Sequence, residues 1–94
     1  LVLKGSGTVI AAPDGKTYMN LTGNPGMATG GSGDVLAGMI ASFLAQGTEP
    51  FQAAVCGVYL HGLAGDRCAQ KFSQRAMLPT DIIAELPSLF SQFE

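Results

Sequence analysis

Asn24-Pro25-Gly26-Met27-Ala28-Thr29-Gly30-Gly31-Ser32-Gly33-Asp34-Val35-Leu36-Ala37-Gly38 is the stretch that decides how this chain is read. Glycines 30, 31 and 33 stand directly before an apolar repeat, Val35, Leu36, Met39, Ile40, Phe43 and Leu44, whose spacing predicts a helix over Asp34–Gln46. Without Cβ atoms these glycines can take positive φ and let backbone N–H groups approach a ligand closely. The first turn of the helix adds unsatisfied N–H donors and a partial positive charge. Together they form an anion site suited to phosphate oxygens. Asp34 would repel a phosphate, so its presence makes chemical sense if it faces a substrate hydroxyl that attacks the phosphorus. A carboxylate is a weak base, and a weak base suffices where the hydroxyl proton departs late in a loose phosphoryl-transfer transition state. From composition alone, a flexible turn followed by a helix-capping acid accounts for the same residues equally well. The stretch is not a P-loop, because Gly-Lys-Ser/Thr is missing. Nor is it a dinucleotide fingerprint, because Leu36 stands where the last glycine is required.

Upstream, Leu1–Gly5 and Thr8–Ala12 are β-prone, Pro13-Asp14-Gly15 signals a turn, and Lys16–Asn20 reads as the return strand of a hairpin. Residues 21–33 contain five glycines and a proline and have no hydrophobic period, which makes them a long loop of the kind that is usually functional or disordered. Downstream, Gly47-Thr48 ends the first helix, and Pro50 suits the first turn of a second that runs from Phe51 to about Phe72. Ala53, Ala54, Gly57, Gly62, Ala64 and Gly65 in that helix imply close approach by its neighbours. A last helix is expected with Thr80 as its cap, Asp81 in its first turn, and a break or kink at Pro87. The order is α/β: hairpin, glycine-rich anion loop, then three helices.

The 94 residues are 47% hydrophobic and 13% charged, the composition of a globular chain. A hairpin of this size does not stand alone in water. Because the chain also begins at Leu1, inside an expected strand, it reads as part of a larger fold. Its strand edges are expected to be covered by a preceding segment or by self-association into a homo-oligomer. The formal charge of −2, with five Lys and Arg spread along the chain, argues against a nucleic-acid partner. No run of 18 or more apolar residues suggests a membrane span. Cys56 and Cys68 fall in one expected helix, roughly 18 Å apart by helical rise and beyond disulfide reach. Unpaired thiols fit a reducing, cytoplasmic setting.

The full string from Asn24 to Gly38 resembles the signature of the NAD(P)H-hydrate dehydratases, which belong to the ribokinase-like superfamily. The core Gly31-Ser32-Gly33-Asp34 is shared across that superfamily, whereas Asn24-Pro25-Gly26-Met27-Ala28-Thr29-Gly30-Gly31 is more selective. The resemblance continues through Lys4-Gly5-Ser6-Gly7-Thr8, the turn at 13–15, and His61-Gly62-Leu63-Ala64-Gly65-Asp66. It covers nearly the whole chain but only the C-terminal part of the family's usual domain. It implies a lyase that uses ADP or ATP to dehydrate (6S)-hydrated NADH or NADPH, a metabolite-repair reaction, by phosphorylating the ring hydroxyl and then eliminating phosphate. On the matching positions, Lys4, Gly5, Ser6, Gly7 and Thr8 would border the adenosine nucleotide. Gly30, Gly31 and Gly33 would hold its phosphates, and Asp34 would be the catalytic and substrate-binding acid. Mg²⁺ is expected from the phosphate chemistry, with no metal ligand identifiable in this segment. ADP is the expected co-substrate, since the chain looks bacterial. Two rivals remain open: a ribokinase-like kinase acting on a vitamin precursor or sugar, and a non-catalytic nucleotide-binding fragment.

The remaining candidates carry less weight. Lys4 on its own is also an ordinary solvated lysine at a strand end. His61 reads as a packed helical histidine, Asp66 and Arg67 as a polar helix face. Met19, Met27, Met39 and Met77 form no stripe and read as packing, Met27 being the one near the loop.

Overall fold

The computed structural model describes residues 1–3, 8–24, 27, 31–73 and 78–92. Three short strands, β1 (Val2–Leu3), β2 (Val9–Ala11) and β3 (Thr17–Met19), are followed by helices α1 (Ser32–Ala45), α2 (Pro50–Phe72) and α3 (Pro79–Gln92). The strands form an antiparallel meander in the order β1-β2-β3, with Ile10 opposite both Val2 and Tyr18. The expected hairpin is therefore β2–β3, extended by the first β-prone run. Register places Leu3, Val9 and Met19 at one end of the sheet. The segment that precedes Thr8 and the glycine-rich loop that follows Asn20 both leave from that end.

Two apolar clusters meet on α2. Ile10 of β2, Leu36 of α1, and Ala54 and Val58 of α2 form the first, which seats the sheet against α1 and α2. Ala64 and Cys68 of α2 with Ile82 and Leu89 of α3 form the second. Ile10, Ile82 and Leu89 are essentially inaccessible to solvent, and each such side chain contributes about 1.5–3 kcal/mol by burial. The small residues of α2 do what their composition implies. A methyl group at Gly57 would lie 2.6 Å from Ile40 Cγ1, so α1 could not pack as closely against a larger residue.

Helix boundaries depart from expectation in ways that chain chemistry explains. Helix α1 starts at Ser32, two residues before Asp34, because Gly31 takes the left-handed turn (φ 95°) that lets the helix begin there. Helix α2 opens on Pro50, whose missing N–H costs nothing in a first turn. Thr80 does not cap α3, which begins at Pro79; Asp81 does the capping, accepting a hydrogen bond from the Leu78 N–H at 2.8 Å. Pro87 does not end α3, which continues to Gln92. Pro87 and Ile83 lie on the exposed side of the helix, opposite Ile82, Glu85 and Leu89, so water can take up the carbonyl that the proline leaves unbonded.

Candidate functional site

At the start of α1 the chain turns through Gly31 and makes its first helical hydrogen bond from Val35 N to the Gly31 carbonyl, 3.2 Å. The N–H groups of Ser32, Gly33 and Asp34 precede that bond and have no intrahelical acceptor. No side chain caps them at the Gly31 position. A side chain at Gly31 would also touch the Pro79 ring, 3.4 Å from an added Cβ, so the start of α3 backs this turn. Ser32 is buried, and its Oγ lies 3.4 Å from Nε2 of His61, itself buried on α2. His61 is thus the packed histidine expected from its helical setting, and it ties the first residue of α1 to the helix beneath. Asp34, in the first turn, is exposed.

The described part of the loop that feeds this turn contacts α2 at Thr22, Gly23, Asn24 and Met27. Thr22 Oγ1 donates to the Tyr59 carbonyl (3.0 Å) and accepts from Asn20 Nδ2 (2.9 Å). Gly23 N donates to Asp66 Oδ2 and Asn24 Nδ2 to Asp66 Oδ1, each at 3.0 Å. At Gly62 an added Cβ would lie 2.1 Å from Thr22 Oγ1 and 2.8 Å from the Thr22 backbone carbon, so that position admits the loop only as glycine. At Gly65 it would lie 2.2 Å from Met27 Sδ, where the Met27 side chain would have to move. Met27, itself within the loop, packs over Gly65 of α2. Asp66 is not merely part of a polar helix face. Its role went unread because its partners are more than forty residues away in sequence, although the small-residue run His61-Gly62-Leu63-Ala64-Gly65-Asp66 marked the contact surface. Its neighbour Arg67 does lie on such a face, donating to Gln92 of α3.

Thr8 is joined to the other end of the same loop: its carbonyl accepts from Asn20 N at 2.8 Å. Of the expected site residues, Thr8 thus adjoins the start of the loop, and Gly31, Gly33 and Asp34 form its end. Lys4, Gly5, Ser6, Gly7 and Gly30 lie outside the described residues. A groove of about 640 Å³ runs between α1 and α3, bounded by Asp34, Gly38 and Ser42 on one side and Ile83, Leu86 and Phe90 on the other. Asp34 is the one expected site residue on its wall. The lining is otherwise mainly apolar, so the groove is not where phosphate would sit.

Among the described residues no three His, Cys, Asp or Glu side chains converge as a metal cage. No described helix is long and apolar enough to cross a membrane. Cys56 is exposed and Cys68 buried, and neither forms a disulfide. Burial pushes the Cys68 thiol pKa up, reinforced by Glu85 and Asp81 and opposed by Lys71.

This layout recurs in solved proteins. A ribokinase-like superfamily protein from Enterococcus faecalis matches 98% of the chain with 45% identity and a TM-score of 0.86, over 31% of its own length. The strands, glycine loop and helices are thus a portion of a ribokinase-like α/β fold. The ADP/ATP-dependent NAD(P)H-hydrate dehydratase of Bacillus subtilis, co-crystallised with ATP and Mg²⁺, matches 99% of the chain at a TM-score of 0.93 and 41% identity, over 34% of its length. In sequence, the bifunctional NAD(P)H-hydrate repair enzyme Nnr of Moorella thermoacetica is 55% identical over the entire chain, which spans 18% of that enzyme. The model of the NAD(P)H-hydrate dehydratase family matches residues 1–88, and the chain belongs to that family. It spans about a third or less of the length of each of these relatives.

Proposed function

We propose that this chain is the C-terminal part of a single ribokinase-like domain, and that it supplies the phosphate-gripping loop and the catalytic acid of a nucleotide-dependent NAD(P)H-hydrate dehydratase. The observation that carries the reading is the start of α1. There, amides without intrahelical acceptors follow a left-handed Gly31, and the exposed carboxylate of Asp34 stands in the same first turn. Donors fixed in this way bind phosphate oxygens without reorganising, which is what stabilises charge in phosphoryl transfer.

In the proposed reaction the hydroxyl oxygen of the (6S)-hydrated nicotinamide ring attacks the terminal phosphorus of ADP or ATP. The bond from that phosphorus to the bridging oxygen breaks, AMP or ADP leaves, and Asp34 takes the hydroxyl proton. Loss of the new phosphate ester as inorganic phosphate, with a ring proton, restores the double bond of NADH or NADPH. Lys4, Gly5, Ser6, Gly7 and Thr8 would border the adenosine part and Gly30, Gly31 and Gly33 the phosphates. The likeness to the ADP/ATP-dependent enzyme of Bacillus subtilis supports ADP or ATP as co-substrate. The described residues offer no cage for Mg²⁺. Phosphate oxygens and water are the usual ligands of Mg²⁺ bound with a nucleotide, and no step here depends on the ion. Cytoplasmic residence and assembly into a homo-oligomer belong to the same proposal. Exposed Leu1, Met19 and Leu21 at the sheet and loop give another chain segment something to cover.

The test is Asp34→Asn in the complete enzyme, supplied with hydrated NADH and ADP or ATP. Recovery of the reduced-nicotinamide absorbance should slow by about 10²–10⁴-fold, the usual worth of a positioned general base. Undiminished turnover would remove Asp34 from the mechanism. Accumulation of a stable phosphorylated product in the wild-type enzyme would instead make it a kinase.

A further inference from the structure

The loop that enters the phosphate turn is held on α2 by one carboxylate, and that carboxylate belongs to no part of the proposed chemistry. We infer that Asp66 is a positioning residue for the nucleotide site, an inference that rests on the function proposed above. Both of its oxygens are engaged by consecutive residues of the loop, the Gly23 amide and the Asn24 side chain, each at 3.0 Å. Hydrogen bonds to a charged acceptor are the strong ones, and two from one two-residue segment fix its direction as well as its place. The surroundings reinforce this. Thr22 bonds the Tyr59 carbonyl, and Gly62 and Gly65 let Thr22 and Met27 of the loop come closer to α2 than a Cβ would allow. From Asn24 the chain passes Met27, which lies over Gly65, and arrives at Gly31 and the open amides of α1.

The far end of the loop is held separately, through α1 itself and the Ser32–His61 contact. Releasing the Asp66 contact should therefore free Gly23 and Asn24 at the entry to the loop while leaving Asp34 on its helix. Binding would then have to order the loop before gripping the phosphates, which weakens capture more than it slows the chemical step.

The experiment compares Asp66→Asn, Asp66→Glu and Asn24→Ala in the complete enzyme, with ADP affinity read by calorimetry and turnover by nicotinamide absorbance. Asp66→Asn turns a donor towards Gly23 or Asn24. It should raise the ADP Kd and nucleotide KM about tenfold, with kcat and the KM for hydrated NADH changed by less than about threefold. Asp66→Glu, which keeps the charge, should recover part of the affinity. Asn24→Ala should weaken ADP binding in the wild type, and by less in Asp66→Asn, because the two residues share one contact. Unchanged ADP affinity in Asp66→Asn overturns the inference, as does an equal fall in every parameter in proportion to lost stability. Titration of ADP needs no turnover, so this result stands apart from failure of the proposed reaction, which Asp34→Asn reports.

Discussion

Helices α2 and α3 begin with carboxylates turned back on their own backbone, whereas α1 begins with none. Glu49 accepts from the amides of Phe51 and Gln52 at 3.1 and 3.0 Å, and Asp81 accepts from Leu78. At α1 the corresponding place is taken by Gly31, and the acid of the first turn, Asp34, leaves the cap without a side-chain bond. Glu49 closes first-turn amides of α2, and Asp81 reaches back to the amide just before α3. The start of α1 is open, at the end of a loop that Asp66, Gly62 and Gly65 fasten to the core. The contrast separates amides that complete the fold from amides that remain available to an anion.

Closing the open start should have the largest effect. Gly31→Asp places a carboxylate at the cap, and Asp tolerates the left-handed turn better than most residues. ADP affinity in the complete enzyme should fall by at least about tenfold, while Gly31→Asn, equally tolerant and uncharged, should lose less. Equal affinities in the two variants, measured by calorimetry, would break the comparison.

Opening a closed start should do the reverse. Glu49→Ala should destabilise by about 1 kcal/mol and Asp81→Ala by a similar or smaller amount, seen as a drop in Tm of a few degrees. Neither should move the nucleotide KM. A change in KM from Glu49→Ala would mean that the end of α2 also takes part in binding.

The smallest effect concerns the core under α3. Because the Cys68 pKa is raised in the folded chain, the thiol is protonated in both states at neutral pH, and its contribution is fully present there. As pH rises past the ordinary thiol value of about 8.5, the unfolded chain loses its proton first and stability falls. Urea midpoints should therefore decline more steeply with alkaline pH in the wild type than in Cys68→Ala. Parallel declines would show that Cys68 is not the cause.

Much of this was legible before any coordinates. The glycines before an apolar period of helical spacing announced a tight turn into a helix, and Pro50 marked the next helix start, because each depends on backbone torsions within a few bonds. The one misplaced cap was of the same local kind. Thr80 was the obvious cap by residue type, yet Pro79 at the first helical position moved the boundary and gave the task to Asp81. Pro87 is a helix breaker in isolation, but α3 is held by Ile82 and Leu89 on its buried side, and the proline falls on the exposed one.

Residue order by itself marked a glycine turn leading into a helix with an acid near its start, since local sterics and the apolar period settle these; the structure set the left-handed residue at Gly31 and the start at Ser32. Only the tertiary structure decided that Asp66 fastens Gly23 and Asn24, that Ser32 meets His61, and that Gly62 and Gly65 are a landing surface for the loop. Those partners are brought together by packing across the core, and no short-range period in a chain encodes which distant segment will cross a given helix face.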